Sequence, residues 1–461
     1  MYLQGSHLGY LHVIEETKSQ ASPPVIETRA EMKMAMKRDG QEISLEMTST
    51  CVETSDGKLV SFREEQRLGP TPTVKTGQVE GGKLVVKTVT GDHSNTRKID
   101  LVEDAGGMFA VDHSLERKPM APGEERTVRF FEPTLGAWAT ETLLARDYEQ
   151  TEMRGGKQEL LRIDSTLASE GQLQPIRSVR WTDRDGQTLK TEKPGMQQVT
   201  YRTTEEEATR SDDEPSFDLM RGTVVKLAEP MDGARTTRVV RYRVELADGN
   251  PAEIFASGPT QHVKSTGPRT AEVAVTSMDP QSPSCEDAAG SASDDDRQPS
   301  SLIQSDDPLI VEMAREASSG QSTVGEIAVA LERYVSEKMT AKRNYSTAFA
   351  TAADVCRTLE GDCTEHAVLL TALARAAGIP ARVAIGLVYS PADQGFAYHM
   401  WTEMLIDGCW TPLDATLGQG RVSADHLKLT DSSLTDRSGF AGFLPLAEVL
   451  GQLKIEVLDA R

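Results

Sequence analysis

The chain has 461 residues, 38% of them hydrophobic and 26% charged, and a formal net charge of −21. This is the composition of a globular protein of about three domains rather than of a disordered chain. The acidic charge argues against a nucleic-acid partner, because binding to the phosphate backbone needs a basic surface. No run of about 18 apolar residues occurs, so we expect no transmembrane segment.

Residues 1–210 are predicted to form a large antiparallel β-rich domain. Residues 32–36 and 43–47 alternate apolar and polar side chains around Asp39-Gly40, which is typical of a hairpin. Further period-2 stretches between Gly- and Asp-rich turns predict more strands. Helical patterns are scarce in this domain, and a short helix is expected only at 134–148.

The middle of the chain contains a predicted linker. Residues 217–278 are again strand-like and form either a small β-subdomain or a continuation of the first domain. Residues 279–305 are rich in Ser, Asp, Pro and Gly and are predicted to be a flexible acidic linker. We expect a protease to cut this linker while both sides stay folded. Cys285 lies in it and is expected to be an exposed thiol without a role.

Two helices are predicted beyond the linker. Pro308 suits the first position of one helix, and Thr323 with Glu326 has the spacing of a capping box for the next. Residues 436–461 are predicted to be a C-terminal tail, in which 453–458 form a closing strand.

The stretch 359–417 contains the residues with candidate chemistry. Asp362 and Glu365 again have capping-box spacing, so Cys363 is predicted to be the first residue of a helix that ends before Gly378 and Pro380. A thiol in the first helical turn lies beside unpaired N–H groups and the positive end of the helix dipole. Both favour the thiolate, which is the nucleophilic form.

Two strands follow, and they supply partners for the thiol. Residues 381–389 and 396–406 are rich in β-formers, and Asp407-Gly408 predicts a tight hairpin back along the second strand. That hairpin could bring Asp414 close to His399, with the register left open by the sequence. Cys363 would then attack a carbonyl, His399 would hold its proton, and Asp414 would orient the imidazole.

At these residues the chain resembles the transglutaminase-like superfamily, bacterial type. The resemblance rests on four motifs in order, and it covers roughly the last third of the chain; the motifs are Gly-Asp-Cys-Thr-Glu-His-Ala (361–367), Gly-Ile-Pro-Ala-Arg (378–382), His-Met-Trp-Thr-Glu (399–403) and Trp-Thr-Pro-Leu-Asp-Ala-Thr (410–416). It implies an α+β fold with a C-terminal papain-like core at 306–435, preceded here by the antiparallel β-rich region. It also implies that Cys363 is the nucleophile, His399 the base and Asp414 the orienting acid. Ala415 stands where many members have proline.

The resemblance indicates a class of chemistry and leaves the substrate open. Members include protein crosslinkers, deamidases, peptide N-glycanases, cysteine proteases and inactive relatives. We expect a thiol enzyme that acts on a carboxamide or peptide carbonyl of a protein or peptide through a thioester to Cys363. The acyl acceptor is either an amine or water. The alternative is a non-catalytic envelope protein for binding or scaffolding, with a vestigial core.

Other features of the sequence give weaker expectations. No phosphate-binding loop or metal-ligand spacing is visible, so no cofactor or metal is expected, and the five cysteines do not form a disulfide framework. His366 is expected to be structural, and Arg382 and Glu403 to pair. Asn344 and Tyr345 are candidate oxyanion donors.

The sequence leaves the compartment and the oligomeric state open. Residues 1–20 show neither the basic nor the apolar region of a signal peptide. The cell envelope or periplasm is expected if the true N-terminus lies upstream of Met1, and the cytoplasm otherwise.

Overall fold

The chain is described here from a computed structural model. It describes residues 1–19, 23–38, 40–169, 175–210, 217–218, 222, 224–285, 291–341, 349–435, 446, 449 and 451–461. These residues form two compact units. The first contains Met1–Leu68 and Pro72–Asp218, and the second contains Gly69–Thr71 and Leu219–Arg461. Asn344 and Tyr345 lie outside the described residues.

The first unit consists of two antiparallel sheets. One sheet has seven described strands in chain order: Gly9–Lys18, Val25–Arg38, Gln41–Thr54, Leu59–Arg67, Thr73–Glu80, Lys83–Thr90 and His93–Asp100. The other has eight, in the spatial order Glu125–Glu132, Ala137–Met153, Gly156–Ser169, Ile176–Thr182, Thr188–Lys193, Gln198–Tyr201, Tyr2–Leu3 and Ser6–His7. The described helices of the first unit are short: Ala110–Arg117, Glu205–Ala208 and the 3-10 turn Pro194–Met196.

Two predictions for this unit can be compared with the structure. The hairpin around Gly40 is confirmed, since Met36 pairs with Ile43. The helix expected at 134–148 is wrong, because Ala137–Met153 is a strand paired on both sides. Alternate residues of that strand are buried, and one of them is Glu141, whose carboxylate pairs with Arg180 at 3.0 Å. Because Glu141 is charged but faces inward, the alternation of apolar and polar residues that indicates a strand was not visible in the sequence.

The second unit joins two sheets to a group of helices. The larger sheet contains Val225–Lys226, Gly395–Ile406, Ala381–Ser390 and His426–Ser432 in spatial order, and Cys409–Leu413 also pairs with Gly395–Ile406. The smaller has the order Gln261–Gly267, Thr270–Thr276, Val239–Leu246 and Leu453–Ala460. A short parallel pair joins Thr340–Ala341 to Glu360–Gly361. The described helices are Pro251–Ile254, Pro308–Ala317, Val324–Lys338, Ala352–Thr358 and Cys363–Ala376, with 3-10 turns at Ala234–Thr236 and Asp294–Asp296.

Local signals located the helices that begin at Pro308 and Val324, whereas Pro251–Ile254 and Ala352–Thr358 were not predicted. Asp307 caps the helix that begins at Pro308, and the capping box of Thr323 and Glu326 is present. The closing strand is also confirmed, and it pairs with Val239–Leu246, which the sequence did not indicate. None of the described helices is both long enough and apolar enough to cross a membrane.

The described parts of the segment predicted to be a flexible linker are packed within the second unit, which corrects that expectation. Buried Arg375 donates hydrogen bonds to the carbonyl oxygens of Gln298 and Ser433, at 2.9 and 2.8 Å. Ser433 in turn donates to the carboxylate of Asp296, and Ile303 is fully buried. Polar groups of this segment therefore form hydrogen bonds with buried groups of the protein instead of with solvent.

Cys285 is likewise not a free thiol. It forms a disulfide with Cys409, 124 residues further along the chain. Cys409 is the first residue of the strand Cys409–Leu413. The disulfide therefore links the segment that was predicted to be a linker to the hairpin that precedes Asp414. Spacing along the chain could not indicate this pair, since cysteine partners are set by the fold.

We therefore expect three free thiols rather than five when the oxidised protein is titrated in denaturant, namely Cys51, Cys356 and Cys363. Replacing both partners, as Cys285→Ser with Cys409→Ser, should lower the free energy of unfolding by about 2–4 kcal/mol, because the cross-link restricts the unfolded chain. Peptide mapping without reductant checks the pairing. Five free thiols in protein kept from reductants would contradict it.

Candidate active site

Cys363 begins the helix Cys363–Ala376, and the predicted capping box is confirmed. The Asp362 carboxylate accepts the N–H of Thr364 at 3.0 Å, and the Glu365 carboxylate accepts the N–H of Asp362 at 3.0 Å. The helix is buried from Cys363 to Arg375, and Gly378 follows it with a φ of +81°. The thiol is thus fixed at the positive end of a helix that has no exposed face.

A hydrogen-bonded contact joins this helix to the strand Gly395–Ile406. Thr402 is fully buried, and its hydroxyl donates to the carbonyl oxygen of Ala367 at 3.1 Å. His399 lies on the same strand three residues earlier. The hairpin at Asp407-Gly408 is confirmed and pairs Thr402 with Leu413. Asp414 follows directly, on the part of the hairpin nearest to His399.

The structure brings the three predicted site residues into one buried cluster. His399 Nε2 and Asp414 Oδ2 are 2.7 Å apart, with side chains only 6% and 4% exposed. Cys363 is close enough to His399 to contribute to the raised pKa of that imidazole. Because Asp414 occupies Nε2, Nδ1 is the nitrogen that remains for the thiol.

The electrostatics of the cluster favour a charged imidazole. Burial opposes the charge on His399, but the negative charge and hydrogen bond of Asp414, with the adjacent Cys363, raise the pKa of His399 to about 10. Burial also opposes the charge on Asp414 and by itself would raise the pKa of that carboxyl. The charge of His399 and hydrogen bonds from His399 and His426 instead hold it far below its usual range.

Neighbouring side chains that the sequence singled out have other contacts. His366 Nδ1 is 2.6 Å from the carbonyl oxygen of Asp362, and burial lowers the pKa of His366. Arg382 and Glu403 do pair, at 2.8 Å. The guanidinium of Arg382 also lies 4.1 Å above the ring centre of Trp410, so this pair supports the sheet beside the cluster.

His426 is the residue of this cluster that sequence reasoning missed. It begins the strand His426–Ser432, and its Nε2 is 3.2 Å from Asp414 Oδ2. That strand approaches closely because its neighbour has Gly386, where a Cβ atom would lie 2.1 Å from the carbonyl oxygen of Leu427. The one sequence signal was Asp425-His426 at the start of a strand-like run.

His399, Asp414 and His426 also have the chemistry of metal ligands. One atom from each lies within 4.8 Å of the others. Asp414 Oδ2 is, however, at hydrogen-bond distance from both imidazoles, so a cation would have to break both contacts. We interpret the cluster as a hydrogen-bonded network.

A buried thiol at a helix start, beside an imidazole and a carboxylate, is an arrangement that thiol enzymes use. Residues 311–415, which contain all three side chains, match the family model of the transglutaminase-like superfamily. This part of the chain belongs to that superfamily, as the resemblance implied. No curated protein matches the chain.

Solved structures similar to the chain are distant. One is a protein from Cytophaga hutchinsonii provisionally described as a cysteine protease, with 16% identity and a TM-score of 0.31, covering 48% of this chain and 86% of that one. Another is a beta-barrel-like protein with a domain of unknown function from Brucella abortus, with 15% identity and a TM-score of 0.30, covering 44% and 87%. A third, provisionally described as a protease, is from Parabacteroides distasonis, with 13% identity and a TM-score of 0.20, covering 78% and 64%.

Cys356 provides a matched comparison for the reactivity of Cys363, since both residues are 4% exposed. Burial and the nearby Asp307 raise the pKa of Cys356 to about 11. We expect iodoacetamide at pH 7 to label Cys363 at least tenfold faster than Cys356, because only Cys363 has an imidazolium partner. Peptide mapping by mass spectrometry measures both rates in one sample. Equal rates would contradict the pairing of Cys363 with His399.

The pH dependence of stability gives a second prediction. The pKa of a free histidine is about 6.5, and that of His399 is raised to about 10. Its contribution to folding is therefore fully present below about pH 6.5 and lost as the pH rises through about 10. The loss of stability in His399→Gln should accordingly be largest near pH 6 and shrink toward pH 10 in denaturant titrations.

His262→Gln is the control for that titration. His262 is exposed and lies on a strand of the smaller sheet of the same unit, so its replacement should have little effect at any pH. A penalty for His399→Gln that grows with pH would contradict the assigned charge state.

Proposed function

We propose that the second unit is a thiol acyl-transfer enzyme with a papain-like arrangement of Cys363, His399 and Asp414. The observation that carries the proposal is the placement of all three side chains in one buried cluster. His399 and Asp414 are 2.7 Å apart, and Cys363 is close enough to His399 to contribute to the raised pKa of its imidazole. A scaffold with a vestigial core would have no need for a buried ion pair, which costs desolvation energy.

In the first half-reaction the Cys363 sulfur attacks the carbonyl carbon of a carboxamide or peptide. The carbonyl electrons move to oxygen, and the helix N-terminus stabilises the resulting oxyanion. When the intermediate collapses, the C–N bond breaks and the proton of the His399 imidazolium passes to the leaving nitrogen. The products are a thioester on Cys363 and ammonia or an amine.

In the second half-reaction a nucleophile attacks the thioester carbon, and His399 takes its proton. The C–S bond breaks and the thiolate is restored. Asp414 keeps the imidazole in one orientation and stabilises its charged form in both half-reactions. With water as the nucleophile the enzyme is a protease or deamidase, and with an amine it is a transglutaminase.

The test uses a library of glutamine- and asparagine-containing peptides, with and without a labelled primary amine. Cleaved peptides and released ammonia indicate hydrolysis, and incorporation of the label indicates transfer. Cys363→Ala should abolish every product and leave the melting curve unchanged, since the thiol is small. Cys356→Ala, at an equally buried thiol outside the cluster, is the control and should keep activity. Products from folded Cys363→Ala would overturn the proposal.

A further inference from the structure

The ring of His426 lies between two carboxylates. Its Nδ1 is 2.9 Å from Asp425 Oδ1, and its Nε2 is 3.2 Å from Asp414 Oδ2. The His426 side chain is only 3% exposed, so both contacts are shielded from bulk water. Asp425 is itself fixed, because Ser423 donates to its Oδ1 and Arg235 to its Oδ2, each at 2.6 Å.

Two carboxylate contacts determine the protonation of this ring. A neutral imidazole carries one N–H and one lone pair, so one of the two contacts would press a lone pair against a carboxylate oxygen. Only the imidazolium donates to both. Burial opposes its charge, but hydrogen bonds and attraction from Asp414 and Asp425 raise the pKa of His426.

Other charged groups near His426 largely compensate one another. Glu403 and Lys428 line the same small cavity as His426, and they form an ion pair at 2.6 Å. The imidazole of His399 is a second cation close to His426, since the two ring centres are 5.7 Å apart. Asp414 Oδ2 is at hydrogen-bond distance from both rings, so its negative charge offsets their positive charges.

We propose that His426 is a positioning residue of the thiol site, and that as a doubly protonated imidazolium it binds the same oxygen of the Asp414 carboxylate as His399 and fixes that carboxylate. The inference rests on the proposed function and extends it by a fourth side chain. Asp414 is then held at both oxygens, since its Oδ1 also accepts the N–H of Thr416 at 2.9 Å.

The first test is NMR of the intact protein with ¹⁵N-labelled histidine. The chain has eight histidines, and the His426 signals are assigned by their loss in His426→Gln. Both ring nitrogens of His426 should carry a proton at pH 7, with strongly deshielded N–H protons. A single ring N–H at this pH would overturn the proposal.

The second test measures alkylation of Cys363 by iodoacetamide in two variants that keep different halves of the ring. Glutamine places its amide nitrogen near the Nε2 position and can still donate to Asp414, whereas asparagine reaches only the Nδ1 position. We expect His426→Asn to slow alkylation about tenfold, the cost of losing one charge-assisted hydrogen bond. His426→Gln should stay within about threefold of the native rate.

His262→Gln, at an exposed histidine, is the control and should keep the native rate. Melting curves establish that each variant is folded. Equal rates in the folded asparagine and glutamine variants would overturn the proposal, because a merely structural histidine would not distinguish them. If His426→Asn does not fold, the NMR result decides alone.

Neither test requires turnover, so the two proposals fail separately. Activity retained in Cys363→Ala would overturn the proposed function and leave the protonation of His426 unchanged. A single ring N–H on His426, with turnover still dependent on Cys363, would overturn only the present inference.

Discussion

The buried carboxylate of Asp414 is the constraint on which the site depends. A charge that is only 4% exposed must be satisfied by the protein, because removing it from water without partners costs several kcal/mol. His399, His426 and the N–H of Thr416 provide that satisfaction. Each partner comes from a different segment, so the requirement of one side chain fixes the relative positions of two strands and a turn.

The same logic extends to both ends of the Cys363 helix. At its start, the carboxylates of Asp362 and Glu365 form the capping box and accept backbone N–H groups, which fixes the helix end that carries the thiol. Toward its end, the guanidinium of Arg375 binds three backbone carbonyls, and burial lowers the pKa of Arg375 to about 10. The helix can therefore be buried all round while the charged side chains near both of its ends keep hydrogen-bond partners.

Structure set by neighbours in the sequence could be predicted, whereas structure set by distant residues could not. The capping boxes at Thr323 and Asp362 and the hairpin at Asp407-Gly408 depend on residues a few positions apart, and all three were located correctly. The pairing of His399 with Asp414 was within reach because one hairpin joins them.

The features that were missed are tertiary. The disulfide of Cys285 and the binding of Asp296 by Ser433 join segments more than 120 residues apart, and no local pattern encodes such distances. His426 was missed for a related reason. Its strand lies beside Ala381–Ser390, and a register shift next to Gly386 sets which of its residues reaches Asp414. The role of a glycine that allows two strands to approach closely can be recognised only when the neighbouring strand is known.

The central proposal is that Asp414 acts through His399 to make Cys363 reactive. The most direct measurement compares the rate at which iodoacetamide alkylates Cys363 at pH 7 in the native protein and in Asp414→Asn. Asparagine preserves the shape of the side chain and removes its charge. The account predicts slower alkylation in folded Asp414→Asn than in the native protein. An equal rate in both proteins would contradict it.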